Sequence, residues 1–151
     1  KQISAEEAQE YVQLSTILKK LIAQKCATLT PLPQLIVLSE AEVRCSADKI
    51  ETVFYHLISN AQQATSAQGS VQVTLEIKNT DMQVVLQDTG HGMSQAFIEE
   101  RLFKPFDTTK GNAGMGIGAY DAKQYIAELG GSIKVESIVD KGSTFTIILP
   151  I

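Results

Sequence analysis

A chain of 151 residues fits one domain of ordinary size and is long enough to bury a two-layer core. Its 44% apolar and 20% charged residues match a soluble globular protein, and a net charge of −4 argues against broad nucleic-acid binding. No apolar run approaches the roughly 18–20 residues that cross a bilayer, no signal peptide is visible, and the chain begins with Lys1 as an excised segment would. Cys26 and Cys45 lack CxxC or zinc-ligand spacing and read as ordinary thiols of a reducing compartment.

In chain order, residues 1–11 are polar and acidic and read as a connecting helix or a frayed end, with the domain proper over 12–151. Leu14, Ile17, Leu18, Leu21 and Ile22 recur at helical spacing and predict an amphipathic helix to about Lys25, broken by Pro31 and Pro33. Short strands follow at 34–38 and 42–45. A second helix opens at Ser46 or Ala47, with Asp48 in its first turn, and its apolar face is Ile50, Val53, Phe54, Leu57, Ile58, Ala61 and Ala64. Gly69 closes that segment.

Val71, Val73, Leu75 and Ile77 alternate with polar residues, as in a strand with one buried face. Asn79-Thr80-Asp81 supplies a turn, and 82–86 is the returning strand. Residues 88–114 are punctuated by glycine, with a short helix near 94–101. A third long helix is predicted from about Met115 to Leu129, stopped by Gly130-Gly131. Two strands, 132–138 and 143–149, close the chain around a turn at Asp140-Lys141-Gly142. The order of elements predicts a sheet covered by helices on one side.

Three features carry chemistry. His56 and Asn60 stand one helical turn apart and share a face that borders the core stripe. The Asn60 carboxamide suits Mg²⁺, which keeps waters and takes phosphate oxygens, although a solvated helix edge would look the same. Asp88-Thr89-Gly90-His91-Gly92-Met93 follows a strand, where a buried carboxylate can accept from an exocyclic amine and Gly90 and Gly92 permit close approach. Taken alone this could be a plain turn. Lys110 and the alternating Gly114, Gly116 and Gly118 precede a helix, whose N-terminus suits a polyphosphate. A flexible hinge is the bland alternative there.

In combination these features resemble the GHKL superfamily, and within it the catalytic, ATP-binding domain of sensor histidine kinases. The N box resembles residues 56–64, the first glycine box 88–92, the F box Leu102-Phe103-Lys104-Pro105-Phe106, and the second glycine box 114–118. The closing Gly142-Ser143-Thr144-Phe145 run resembles the family's last strand, so the likeness covers roughly 12–150. The resemblance implies the α/β, two-layer sandwich of the Bergerat type, a mixed sheet with three main helices on one face. It implies that Asp88 binds adenine with Gly90, Gly92 and Thr144 around the base, and that Asn60 holds Mg²⁺. Lys110, Gly114, Gly116 and Gly118 would meet the phosphates of ATP. Phe103 and Phe106 would anchor a lid over 91–114, whose middle is expected to be mobile without nucleotide.

The implied activity is transfer of the γ-phosphate to a histidine on a separate dimerisation and phosphoacceptor domain, with a response regulator downstream. The location implied is cytoplasmic, with membrane anchoring of the full-length kinase left open. Two departures stand out: His56 and Gln63 replace the family's commoner Asn and basic residue, so His56 or Lys104 would make a phosphate contact instead. Neither His56 nor His91 lies in a phosphoacceptor context, and that histidine is expected upstream of Lys1. The residues 114–125 also look like the kinases that accompany the PEP-CTERM exosortase system. The alternatives are a serine kinase of the anti-sigma-factor type, a GHKL ATPase and a regulatory nucleotide-binding module. The superfamily's hydrolases carry a Glu one turn before the N-box Asn, where this chain has His56.

Overall fold

The computed structural model describes residues 9–104 and 118–151. In chain order the elements are β1 (Glu10–Gln13), α1 (Leu14–Lys25), β2 (Pro33–Val37), β3 (Glu42–Cys45) and α2 (Ala47–Ala64). Then come β4 (Val71–Lys78), β5 (Asp81–Asp88), α3 (Gln95–Phe97), α4 (Ala119–Glu128), β6 (Ser132–Ile138) and β7 (Gly142–Pro150). A π-helical turn, Ile98–Leu102, continues α3.

The main sheet has five strands in the order β2-β4-β5-β7-β6. β2 runs parallel to β4 and the remaining pairs are antiparallel, so the sheet is mixed as expected. One face is apolar: Val71, Val73 and Leu75 on β4, Met82, Val84 and Leu86 on β5, and Ile147 and Leu149 on β7 are all buried. Their neighbours Gln72, Thr74, Gln83 and Thr146 alternate onto the other face, which is why every strand keeps one register. Leu14, Leu18 and Leu21 of α1, Ile50, Phe54 and Ile58 of α2, and Ile126 of α4 cover the apolar face. The result is a two-layer α/β sandwich with three main helices on one side.

The helix starts and stops follow local chemistry. Ser46 caps α2, its Oγ accepting from the Lys49 amide at 3.3 Å. The Ser46 amide in turn donates to the Tyr125 hydroxyl at 2.9 Å, tying the start of α2 to α4. α4 ends before Gly130, whose φ of 86° lets the chain turn back into β6. Of the predicted helix at 115–129, residues 115–117 lie outside the described residues.

Two local expectations shift. Strand β2 begins at Pro33, one residue earlier than predicted, and Leu38 keeps only an amide bond to the Leu75 carbonyl at 2.8 Å. The segment read as a connector up to residue 11 gives way at Glu10 to β1, which pairs with β3. Only Val12 of that strand is buried, opposite Val43, so its alternation was too short to register as a pattern. Both cysteines are free and buried, and burial together with Glu10 pushes the Cys45 thiol up to about 11. No helix among the described residues is long and apolar enough to cross a membrane.

Gln62 fastens the far end of α2. It is 2% exposed, and its Nε2 donates to the carbonyls of Cys26 at 2.9 Å, Leu29 at 3.2 Å and Pro31 at 3.1 Å. One side-chain amide therefore satisfies the loop that joins α1 to β2. Replacing it by Leu should lower stability by roughly 2–3 kcal/mol, because buried carbonyls lose their donor while volume is conserved. Urea unfolding checks this, and an unchanged midpoint would mean the loop holds itself.

Candidate functional site

Asp88 is the last residue of β5 and shares the inward face with Met82, Val84 and Leu86. The residue is 6% exposed. Oδ1 accepts from the Gly90 amide at 2.9 Å and the Ser143 amide at 3.3 Å. Among the described residues no donor reaches Oδ2. Burial pushes this carboxyl above its usual range, while the two amides and nearby His91 pull it back. One oxygen is thus fixed by backbone, and the other is free to accept.

The chain after Asp88 is held on both sides. The His91 amide donates to the Ala64 carbonyl at 3.0 Å, docking the glycine loop on the end of α2. The His91 carbonyl accepts from the Asp140 amide at 2.7 Å, in the turn between β6 and β7. Gly90 sits so close to α2 that a Cβ would collide with the Ala64 carbonyl. Gly92 has φ of 70°, and its Cβ would strike the Ile138 carbonyl. The glycines let three elements converge on one loop.

A cavity of about 530 Å³ opens beside this loop, lined among others by Asn60, Gln63, Asp88, His91, Gly92 and Phe145. That volume suits a ligand of nucleotide size. Asn60 projects from α2 into it, half-buried, and its carboxamide makes no hydrogen bond among the described residues. A second cavity of about 390 Å³ lies further along α2, against α4, lined by His56, Thr52, Asp121, Gly118 and Tyr125 among others. Burial lowers the His56 pKa and Asp121 raises it, the former being the larger effect.

The structure therefore brings Asn60, Asp88 and Gly92 to one cavity, with Gly90 packed behind it. His56 and Gly118 belong to the neighbouring one. Thr144, expected at the base pocket, instead pairs with Gln87 and shares the outer face of the sheet with it, because inward positions on β7 are Ser143, Phe145, Ile147 and Leu149. Ser143 and Phe145 are the β7 residues that line the cavity. The sequence reading gave Ser143 and Phe145 no role at the site; the register of β5 on β7 was the missing information. Phe103 packs against the core, and the Lys123 ammonium lies 4.7 Å above its ring. Lys110, Gly114, Gly116 and Phe106, and residues 114–117 of the 114–125 run, lie outside the described residues.

The chain and its fold have known counterparts. Residues 45–151 match the family described as histidine kinase-, DNA gyrase B-, and HSP90-like ATPase, and the chain belongs to that family. Within it, the similarity is to sensor kinases. The sensor histidine kinase ZraS of Salmonella typhimurium is 34% identical over 110 residues, covering 72% of this chain and 23% of the relative. This chain thus spans about a quarter of that relative's length.

Among solved structures, the catalytic domain of histidine kinase ThkA superposes with a TM-score of 0.77 at 25% identity, covering 93% of this chain and 97% of that one. ThkA in complex with the response regulator TrrA gives a TM-score of 0.73 at 23% identity, over 94% of this chain and 42% of that one. Full-length ShkA in complex with AMPPNP gives 0.80 at 18% identity, over 98% of this chain and 32% of that one. The last two likenesses concern the fold.

Asp88 also makes a pH-dependent cost visible. Its folded pKa is raised, so the neutral acid is favoured in the folded state; the cost is absent below the unfolded carboxylate pKa and present once pH rises above the folded one. Asp88→Asn keeps an oxygen for the Gly90 and Ser143 amides but replaces the free acceptor by a donor. At pH 7 this variant should melt no lower than wild type, with its relative advantage shrinking as pH falls. It should bind ATP about ten- to a hundredfold more weakly. Lower stability at pH 7 with unchanged ATP affinity would show Asp88 to be a structural carboxylate.

Proposed function

We propose that this domain binds Mg·ATP and transfers its γ-phosphate to a histidine on the dimerisation domain of the same kinase, from which a response regulator takes it. The observation that carries the reading is the single cavity in which the free oxygen of Asp88 faces the same space as the unpartnered carboxamide of Asn60. Supporting it are the kinase relatives, the ATP analogue named with ShkA and the response regulator named with ThkA.

Each residue has a task in that reading. Asp88 Oδ2 accepts from the exocyclic amine of adenine, with Gly92 at the wall of the same cavity. Phe145 and Met93 give the cavity apolar walls. Asn60 Oδ1 is the oxygen this chain offers to Mg²⁺, a hard cation that otherwise keeps water and phosphate ligands. When bound, Mg²⁺ would neutralise charge on the phosphates. Lys110 and the backbone of Gly114, Gly116 and Gly118 would meet the phosphates from the lid side. Phosphoryl transfer depends mostly on such positioning and charge neutralisation, so the domain need not supply a nucleophile. A cytoplasmic location, where ATP is abundant, accords with this task.

Two measurements test the reading. Asn60→Ala should weaken Mg·ATP binding or abolish transfer while leaving metal-free adenosine binding within about twofold, a margin well under one hydrogen bond. An equal loss for adenosine would make Asn60 structural. The isolated chain should incorporate no acid-labile phosphate on itself, yet phosphorylate a histidine on its dimerisation helices supplied in trans. Robust multiple-turnover hydrolysis, abolished by His56→Asn, would replace the kinase reading by an ATPase.

A further inference from the structure

Ser137 on β6 belongs to none of the motifs and lines neither cavity described above, yet its hydroxyl holds three neighbours of the nucleotide cavity. Its Oγ accepts from the Met93 amide at 2.7 Å, donates to the Gly142 carbonyl at 3.0 Å and lies 2.8 Å from Ser143 Oγ. Met93 and Ser143 both line the cavity. The Ser143 amide also donates to Asp88 Oδ1 at 3.3 Å. A single half-buried hydroxyl therefore spaces two walls of the cavity and reaches the carboxylate through one intermediary.

A pair of serines across a hairpin can stabilise the sheet alone, and Ser137 does sit opposite Ser143 in register. The Met93 amide is what exceeds that role. Met93 belongs to no strand, and Ser137 is the partner of its N–H among the described residues. The bond fixes the far end of the glycine loop, whose near end is fixed by Asp88 itself through Gly90. Ser137 has one proton to give. Donated to Gly142, it leaves Ser143 to donate back to Ser137; donated to Ser143, it frees the Ser143 proton for a ligand.

We propose that Ser137 is a positioning residue for nucleotide recognition, setting Ser143 and Met93 in place around the Asp88 carboxylate. This rests on the nucleotide reading given above. Ser137 need not touch the nucleotide. It determines how squarely the carboxylate and its neighbours meet the base, so its loss should blur discrimination between bases as well as weaken binding.

Competition titrations of the 151-residue chain with Mg·ATP and Mg·GTP against a fluorescent ATP analogue test it, using wild type, Asp88→Ala, Ser137→Ala and Ser137→Thr. Ser137→Ala should weaken ATP about three- to tenfold, the worth of one net hydrogen bond, and leave GTP unchanged, so the preference narrows by that factor. Ser137→Thr, which keeps the hydroxyl on a stem suited to a strand, should restore both affinity and preference. Unchanged ATP affinity in Ser137→Ala, or an equal loss for ATP and GTP, would overturn the proposal. Amide exchange of Met93 in the wild type needs no variant to fold: protection that deepens with ATP is expected, and exchange as fast as in a free peptide would overturn it. If the wild type binds no adenine nucleotide, the functional reading fails and this inference with it. If wild type binds ATP, Asp88→Ala does not, and Ser137→Ala binds as wild type, Ser137 alone loses its role.

Discussion

The carboxylate of Asp88 is buried at the point where three separately built pieces of chain meet. Its position depends on the pairing of β5 with β7, which places it opposite Ser143 and within reach of that residue's amide. The pairing is fixed by side chains with no part in the site: Met82, Val84 and Leu86 on one strand, Ile147 and Leu149 on the other. A slip of one residue would send all of them to the polar face and Asp88 with them. The apolar core thereby aims the charged group. Gly142 completes the arrangement, since a side chain there would strike the Asp88 carbonyl.

Two buried polar side chains on this framework are used in opposite ways. Gln62 spends its donors on three backbone carbonyls of one loop, and its contribution is to the fold. Asp88 has one oxygen satisfied by two amides and keeps the other open, so burial raises its pKa and the folded chain carries a cost at neutral pH. Gln62 also leaves its buried Oε1 without a partner among the described residues, so an open oxygen does not by itself mark a binding site. Asp88 differs in where it lies: it lines the cavity, and the Asn60 carboxamide lines the same one.

What the sequence made legible was whatever repeats within one element. The stripe from Ile50 to Ala61 gave α2, and strict alternation gave β4 and β5. Asn60 and Asp88 were reached through motif order, and both line one cavity. Features that depend on how two elements meet were not legible. Thr144 and Ser143 are adjacent and chemically alike, and only the inward parity of β7 separates them. β1 hides behind one buried valine, and Ser137 looks like any polar residue on an edge strand. His56 was grouped with Asn60 because helical spacing puts them on one face, but the packing of α4 against α2 divides that face between two cavities.

That division bears on the chemistry. A hydrolase of this architecture needs a base aimed at water beside the terminal phosphate. One turn before Asn60 this chain has an imidazole in place of a carboxylate, and it faces Asp121 and Gly118 across the second cavity rather than Asp88 across the first. Burial favours its neutral form, so it could accept a proton, but Asp121 opposes that shift and no hydrogen bond among the described residues orients the ring. Its ring meets Tyr55 edge-on, a contact that does not select the tautomer a general base needs. The groups that are fixed, Asp88 Oδ1 and the glycine loop, lie at the first cavity instead. This accords with the proposed reading, in which the domain presents a phosphate to a nucleophile from elsewhere.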